Sequence, residues 1–264
     1  MANDFSGDAN CVALYRFEDD ALTVDSKDSN TLTPMLTVNE DLVNFKEGAC
    51  AVSLGGFGAL YRSNGGLSSD FPFKANSGNE ILSIAAWIYP TVIPGSGNID
   101  TIVGQWYVGG GASHWVLALI DSTLRFGLGY NSCANQEYWT ICILSQANRW
   151  YHIGLTYDAV NKLGVVRVWD DVAQIATTYP HDFTNSHSCN GAPFFMIGAD
   201  GAGDNFFNGK IDEIPVFNRI LSIEEIDAIR MGAFPLPSGP TQAQLLRHGT
   251  WFGSGVKQRM WWAR

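Results

Sequence analysis

Any chemistry in this chain rests on its aromatic rings and its acidic side chains. Sugar binding needs flat aromatic faces for stacking and planar polar groups for the hydroxyls. Trp106, Tyr107, Trp115, Tyr130, Tyr138 and Trp139 crowd the middle of the sequence and are the candidate ligand-binding residues. Each of them competes with plain core packing, and Trp87, Trp150 and Trp169 are assigned to packing outright. Asp200, Asp204 and Asn205 offer the oxygen donors that calcium takes; a solvated loop is the preferred reading. His181 and His187 share a segment with Asp182 and Cys189, types that can hold a metal or activate a thiol; a polar surface loop is the preferred reading. No serine-nucleophile motif, phosphate loop or dinucleotide fingerprint occurs.

Strands must position these residues. The chain has 264 residues, 46% hydrophobic, 12% aromatic and only 16% charged, with 28 glycines. That composition fits many short strands joined by glycine turns and does not fit disorder. Strands are predicted at 11–18, 48–55, 57–62, 81–90, 100–108, 114–121, 123–130, 149–158, 163–171, 174–180, 193–199 and 209–219. Their recurrence with frequent turn signals predicts an all-β, two-sheet antiparallel sandwich. The stretch 131–145 is longer than a hairpin needs and is read as a specificity loop. One helix is predicted: Ser222 precedes an apolar-periodic run and Glu225 lies three residues on, a capping box, with Gly232 as the stop.

Net charge is −10, which excludes nucleic acid as the expected partner, because phosphate binding needs concentrated Lys and Arg. No stretch approaches a membrane span of roughly 18 apolar residues, so no transmembrane segment is expected. The start MANDFSGDAN has neither a basic nor an apolar run, so no signal peptide is expected either. Five cysteines leave at least one unpaired; Cys133 and Cys142 could meet across a hairpin, although small apolar residues in a reduced protein are the favoured reading. Residues 1–232 are expected to form the sandwich and 233–240, with three prolines, a stiff linker. Residues 241–264 hold four cations and no acid, so the rest bears −14. With Trp251, Phe252, Arg259, Trp261 and Trp262, this segment is too short to bury its own rings and is expected to attach the chain to protein subunits of a larger assembly.

The segments VALYRFED, EGACAVSLGG, LSIAAWIYP, LRFGLGY, RWYHIGLTYD and VVRVWDDV, and above all FMIGADGAGDNFFNGKIDEIPVFNRILSIEEI, resemble the laminin-G-like jelly-roll group of the concanavalin A-like lectin/glucanase superfamily over about 11–232. The resemblance implies a jelly-roll sandwich with a sugar groove on its concave sheet. It also implies calcium as cofactor, held by Glu18 (or its neighbour Asp19), the Gly48 carbonyl and Asp212. Glucanases of this superfamily carry alternating acids on one strand. The nearest string here, Glu225 to Met231, lies on the predicted helix and lacks the final acid, so an enzyme is not expected. The implied function is a carbohydrate-binding or adhesive module for a cell-surface glycan, displayed on an assembly such as a phage or other virion and found extracellularly or on a virion surface. A purely structural decoration protein and a polysaccharide-degrading enzyme are the alternatives.

Overall fold

Apolar residues at every second position build two antiparallel sheets that close on one core. The computed structural model describes residues 3–75, 77–107, 113–189, 191 and 193–235. The first strands are β1 (Cys11–Tyr15), β2 (Thr33–Leu36), β3 (Asn39–Asp41), β4 (Ala51–Ser53) and β5 (Gly58–Arg62). Then come β6 (Ile81–Pro90), β7 (Ile99–Gln105), β8 (Trp115–Ile120), β9 (Thr123–Tyr130) and β10 (Asn135–Ile143). The remainder are β11 (Tyr151–Asp158), β12 (Leu163–Asp170), β13 (Ile175–Asp182), β14 (Phe195–Ile197), β15 (Gly209–Asp212), β16 (Ile214–Phe217) and the helix α1 (Ile223–Arg230). One sheet runs β13-β12-β11-β6-β15-β4-β3, with β16 also on β6 and β1 on β16; the other runs β10-β9-β8-β7-β14-β5-β2. Trp115, Phe126, Phe195, Ile153 and Ile211 meet in the core between them. No helix among the described residues is long and apolar enough to cross a membrane.

Four readings change. The expected strand 209–219 breaks at Glu213, whose φ is +49°, so β15 and β16 are separate strands that pair with β6 at Trp87 and Ile84 respectively. The stretch 131–145 is not a free loop: from Asn135 it pairs with β9, Asn135 opposite Tyr130 and Ile143 opposite Thr123. β2 and β3 escaped the apolar pattern because both are edge strands with little inward-facing surface. Cys133 bonds Cys189, not Cys142; Cys142 stays half-buried, while Cys11 and Cys50 are buried thiols.

The helix follows its sequence signals. Ser222 Oγ accepts the Glu225 N–H at 3.2 Å and Glu225 Oε2 accepts the Ser222 N–H at 2.8 Å, and Gly232 turns with φ +66°. Ile226 docks on the bare backbone of Gly154 in β11, where a β carbon would sit 2.3 Å from Ile226 Cγ2. Gly154→Val should therefore cost about 1–3 kcal/mol by overpacking, seen as a lower urea midpoint at unchanged slope; an unchanged midpoint would mean that the helix can be displaced freely. Beyond the helix, Phe234 is buried, stacked on Phe5 at 5.0 Å. The candidates Trp251, Phe252, Arg259, Trp261 and Trp262, and residues 236–240 of the expected linker, lie outside the described residues.

Candidate functional site

Two places gather the candidate side chains. The first is the outer face of the sheet holding β7 to β10. On β8, Trp115, Leu117 and Leu119 enter the core, while Val116, Ala118 and Ile120 face outward with Trp106, as a period of two requires. The register aligns Gly104, Val116, Gly127 and Tyr138 in one outward row. This row is shallow because two of its members lack side chains. A β carbon on Gly127 would fall 2.7 Å from Tyr138 Cε1 and 2.9 Å from Val116 Cγ1, so the Tyr138 ring lies across bare backbone. Trp106 stands beside it, ring centres 5.8 Å apart at 58°. Trp106 is nearly buried and Tyr138 is 42% exposed.

The loop from Asp200 to Asn205 closes one side. The Gly201 N–H donates to the Trp106 carbonyl at 2.6 Å. Asp200 is buried, and its carboxylate accepts the N–H groups of Ala202 and Asp204 and the Asn205 side-chain amide. Both of its oxygens are thus engaged within the loop, which makes it a brace for the groove wall and a poor calcium ligand. The result is a groove of about 110 Å³ with an apolar floor, the Trp106 and Tyr138 rings, and the amides of Gln136 and Asn205 at its rim.

The structure brings Trp106 and Tyr138 together and leaves the exposed Tyr107 adjacent, its ring packed toward Gly201. Tyr130 ends β9, half-buried, opposite Asn135. Trp115 and Trp139 are corrections. Trp115 is fully buried with its indole N–H donating to Gln105 Oε1 at 2.8 Å. Trp139 points to the opposite face of β10 from Tyr138 and stacks on His181 at 5.0 Å. Their alternation with Leu117 and Ile141 carries that signal. Gln136, Asn205 and the enabling Gly127 were missed as groove residues; only the cross-strand register identifies them.

The second place is acidic. Asp212, at the end of β15, is fully buried. Its Oδ2 accepts the N–H groups of Lys46 and Glu47 at 2.7 and 3.1 Å; its Oδ1 has no partner among the described residues. Glu18 Oε2 accepts the Ala49 N–H at 2.7 Å. Gly48 has φ +68°, and a β carbon there would land 1.7 Å from Glu18 Oε1, so only glycine lets the carboxylate lie over this turn. Burial, reinforced by the Glu18 charge, pushes Asp212 up to about 7. Burial likewise pushes Glu213 up to about 8, against the pull of Arg16 at 3.2 Å. The structure thus assembles Glu18, Gly48 and Asp212 around one turn. An orphaned buried carboxylate oxygen beside a second acid and a glycine cradle fits a hard cation with oxygen ligands. Asp19 instead joins Asp20 and Glu40 in an exposed acidic group nearby.

The profile of a family described as the concanavalin A-like lectin/glucanases superfamily matches residues 64–227. No curated protein matches. Among solved structures, the receptor-binding domain of botulinum neurotoxin mosaic serotype C/D aligns with TM-score 0.58 at 14% identity, covering 84% of this chain and 51% of that one. The binding domain of botulinum neurotoxin DC, described in complex with SialylT, aligns with TM-score 0.58 at 13% identity over 85% and 52%. The type G receptor-binding domain gives 0.54 at 14% over 84% and 51%. The chain spans about half the length of these structures, and at such identity the likeness concerns the fold. From its profile match over residues 64–227, with which its two-sheet sandwich agrees, the chain belongs to the concanavalin A-like lectin/glucanases superfamily.

Proposed function

We propose that the chain is a non-enzymatic, carbohydrate-binding module that recognises a cell-surface glycan in the groove between Trp106 and Tyr138. The observation that carries this reading is the exposed Tyr138 ring beside the buried Trp106 over a glycine-flattened sheet, with the side-chain amides of Gln136 and Asn205 lining the same groove. A sugar ring stacks on such rings by its C–H face while amides bond its hydroxyls. The fold neighbour described with SialylT supports the choice of ligand class. The helix acids support binding over hydrolysis: Asp227 pairs with Arg167 at 2.7 Å and Glu225 with Arg219 at 2.7 Å, so both are engaged in ion pairs. Glycan-microarray binding tests the reading directly. Binding to defined glycans supports it; a blank array with folded protein sinks it in favour of a purely structural decoration role.

Glu18, the Gly48 carbonyl and Asp212 would hold calcium, which would neutralise the buried acids and tie the start of the chain to β15. We further infer that residues 241–264 attach the module to subunits of a larger assembly at a cell or virion surface, an opposite charge on the body favouring that docking. Light-scattering mass checks this. Full-length protein should associate and a chain ending at Pro235, which keeps the buried Phe234, should be monomeric; two monomers would end the assembly reading.

A further inference from the structure

A third place, unused by either site, gathers two histidines. His114 precedes β8 and His187 lies in the segment after β13; both are buried, with ring centres 4.9 Å apart at 45°. They face a cavity of about 230 Å³ whose rim includes Glu80 and Asn79. The His114 Nε2 lies 3.0 Å from the Gly191 carbonyl. A carbonyl only accepts, so Nε2 carries the proton and Nδ1 keeps the lone pair. That Nδ1 has no hydrogen-bond partner among the described residues, and neither do both nitrogens of His187; the Phe73 carbonyl lies near the His114 ring without completing a bond. Buried nitrogens of this kind are costly unless something fills them.

We propose that His114, His187 and Glu80 form a binding site for a transition-metal dication of the zinc class, separate from the oxygen-only calcium site. The donors are those that zinc prefers, two imidazoles and a carboxylate, with room for water as a fourth ligand. A ring N–H tied to a backbone carbonyl is also how metal-bound histidines are oriented. The spacing agrees. Zinc bonds of roughly 2.0–2.2 Å set tetrahedral donor atoms roughly 3.3–3.5 Å apart and imidazole centres roughly 5 Å apart. The His187 Nδ1 to Glu80 Oε1 distance is 3.8 Å, too long for a hydrogen bond, and the ring centres are 4.9 Å apart. The three donors do not all approach within 4.8 Å of one another, as Asp19, Asp20 and Glu40 do; Glu80 Oε1 already lies 3.8 Å from His187 Nδ1, so loading requires a shift that brings His114 Nδ1 and this pair together. Competing charges are spent elsewhere: Lys74 donates to the Leu67 carbonyl, and the disulfide with Cys133 removes Cys189 from the donor set.

The test uses the full chain, disulfide intact, stripped of metal and then saturated with calcium. Zinc is added while imidazole nitrogens are followed by ¹⁵N NMR, and cobalt serves as the optical probe of tetrahedral geometry. The expected result is a shift of the His114 and His187 nitrogens with those of His152 and His181 unmoved. Tetrahedral cobalt bands should accompany it, with affinity at least tenfold weaker in Glu80→Gln. His187→Gln should abolish the bands, and because the wild-type NMR needs no substitution, misfolding of that variant does not obscure the answer. Unmoved His114 and His187 resonances, or zinc shifts confined to other histidines, would overturn the proposal.

Discussion

Asp212→Asn is expected to stabilise the metal-free protein at pH 8 and to lose most of that advantage once calcium is bound. Burial raises the folded-state pKa of Asp212 from 3.8 to about 7. A carboxyl raised on folding costs nothing below its unfolded pKa, where both states are protonated. The cost grows as pH rises from about 4, because the unfolded chain ionises first, and it is complete above about 7. Asparagine mimics the protonated acid and its carbonyl can still accept the Lys46 and Glu47 amides. The variant's advantage should therefore rise between pH 4 and 7 to about 4 kcal/mol. The difference between the two proteins is the quantity to measure, because other groups titrate as well. His152 and His187, pushed down to about 3 by burial, lower stability as pH falls below about 6.5, and Glu213, pushed up to about 8, acts in the same sense as Asp212. The histidines are common to both proteins and cancel, whereas Glu213 cancels only in part, because the Asp212 charge adds to its shift. With calcium at a hundred times its Kd the wild type should gain about 2.7 kcal/mol and the variant little. Urea midpoints at pH 5, 6, 7 and 8, in chelator and in calcium, give the answer. A pH-independent difference would show that Asp212 is not forced neutral by burial, and a calcium response retained by the variant would remove it from the ligand set.

Tyr138→Ala is expected to weaken glycan binding roughly 5- to 30-fold, the equivalent of about 1–2 kcal/mol for one lost stacking face, at small cost in stability because the ring is 42% exposed. Trp139→Ala, one residue along, should do the reverse. Its ring packs with His181 and Phe183, so its removal should cost about 3–5 kcal/mol and leave the affinity of the remaining folded protein unchanged. Isothermal titration on an array-selected glycan, beside urea unfolding of each variant, separates the two. Equal affinity of wild type and Tyr138→Ala would move the glycan site off this face.

How far the sequence led follows from these same residues. The central strands were legible because buried rows such as Leu117, Leu119, Phe126, Ile153 and Leu155 impose a strict period of two. The helix was legible because Ser222 and Glu225 are a local device. Edge strands were not: Thr33–Leu36 and Asn39–Asp41 bury little and are held by pairing with distant β5 and β4. The acidic set was named through family resemblance; in the structure Glu18 and Asp212 both accept backbone amides from the turn at residues 46–49. The aromatic site was legible only in part. Residue type put Trp106 and Tyr138 forward equally with Trp115 and Trp139, and facing direction, a property of register, separates them. The histidine cavity lay out of reach, because His114 and His187 are brought together by strands far apart in sequence.

The clasp that holds Phe234 against the start of the chain has a topological consequence. Asp4 N–H donates to the Phe234 carbonyl at 2.8 Å, Phe234 N–H donates to Asn3 Oδ1 at 3.0 Å, and the two phenyl rings of Phe5 and Phe234 stack. The body is therefore nearly a closed loop of chain. At roughly 3.3–3.6 Å per residue, a linker of a few residues would join positions 3 and 235, so the sandwich should tolerate circular permutation with new ends opened at an exposed turn such as that at Val160. By the same closure it can be inserted whole into a loop of a host protein, entering and leaving at one point, so that the host's own fold meets no gap to span.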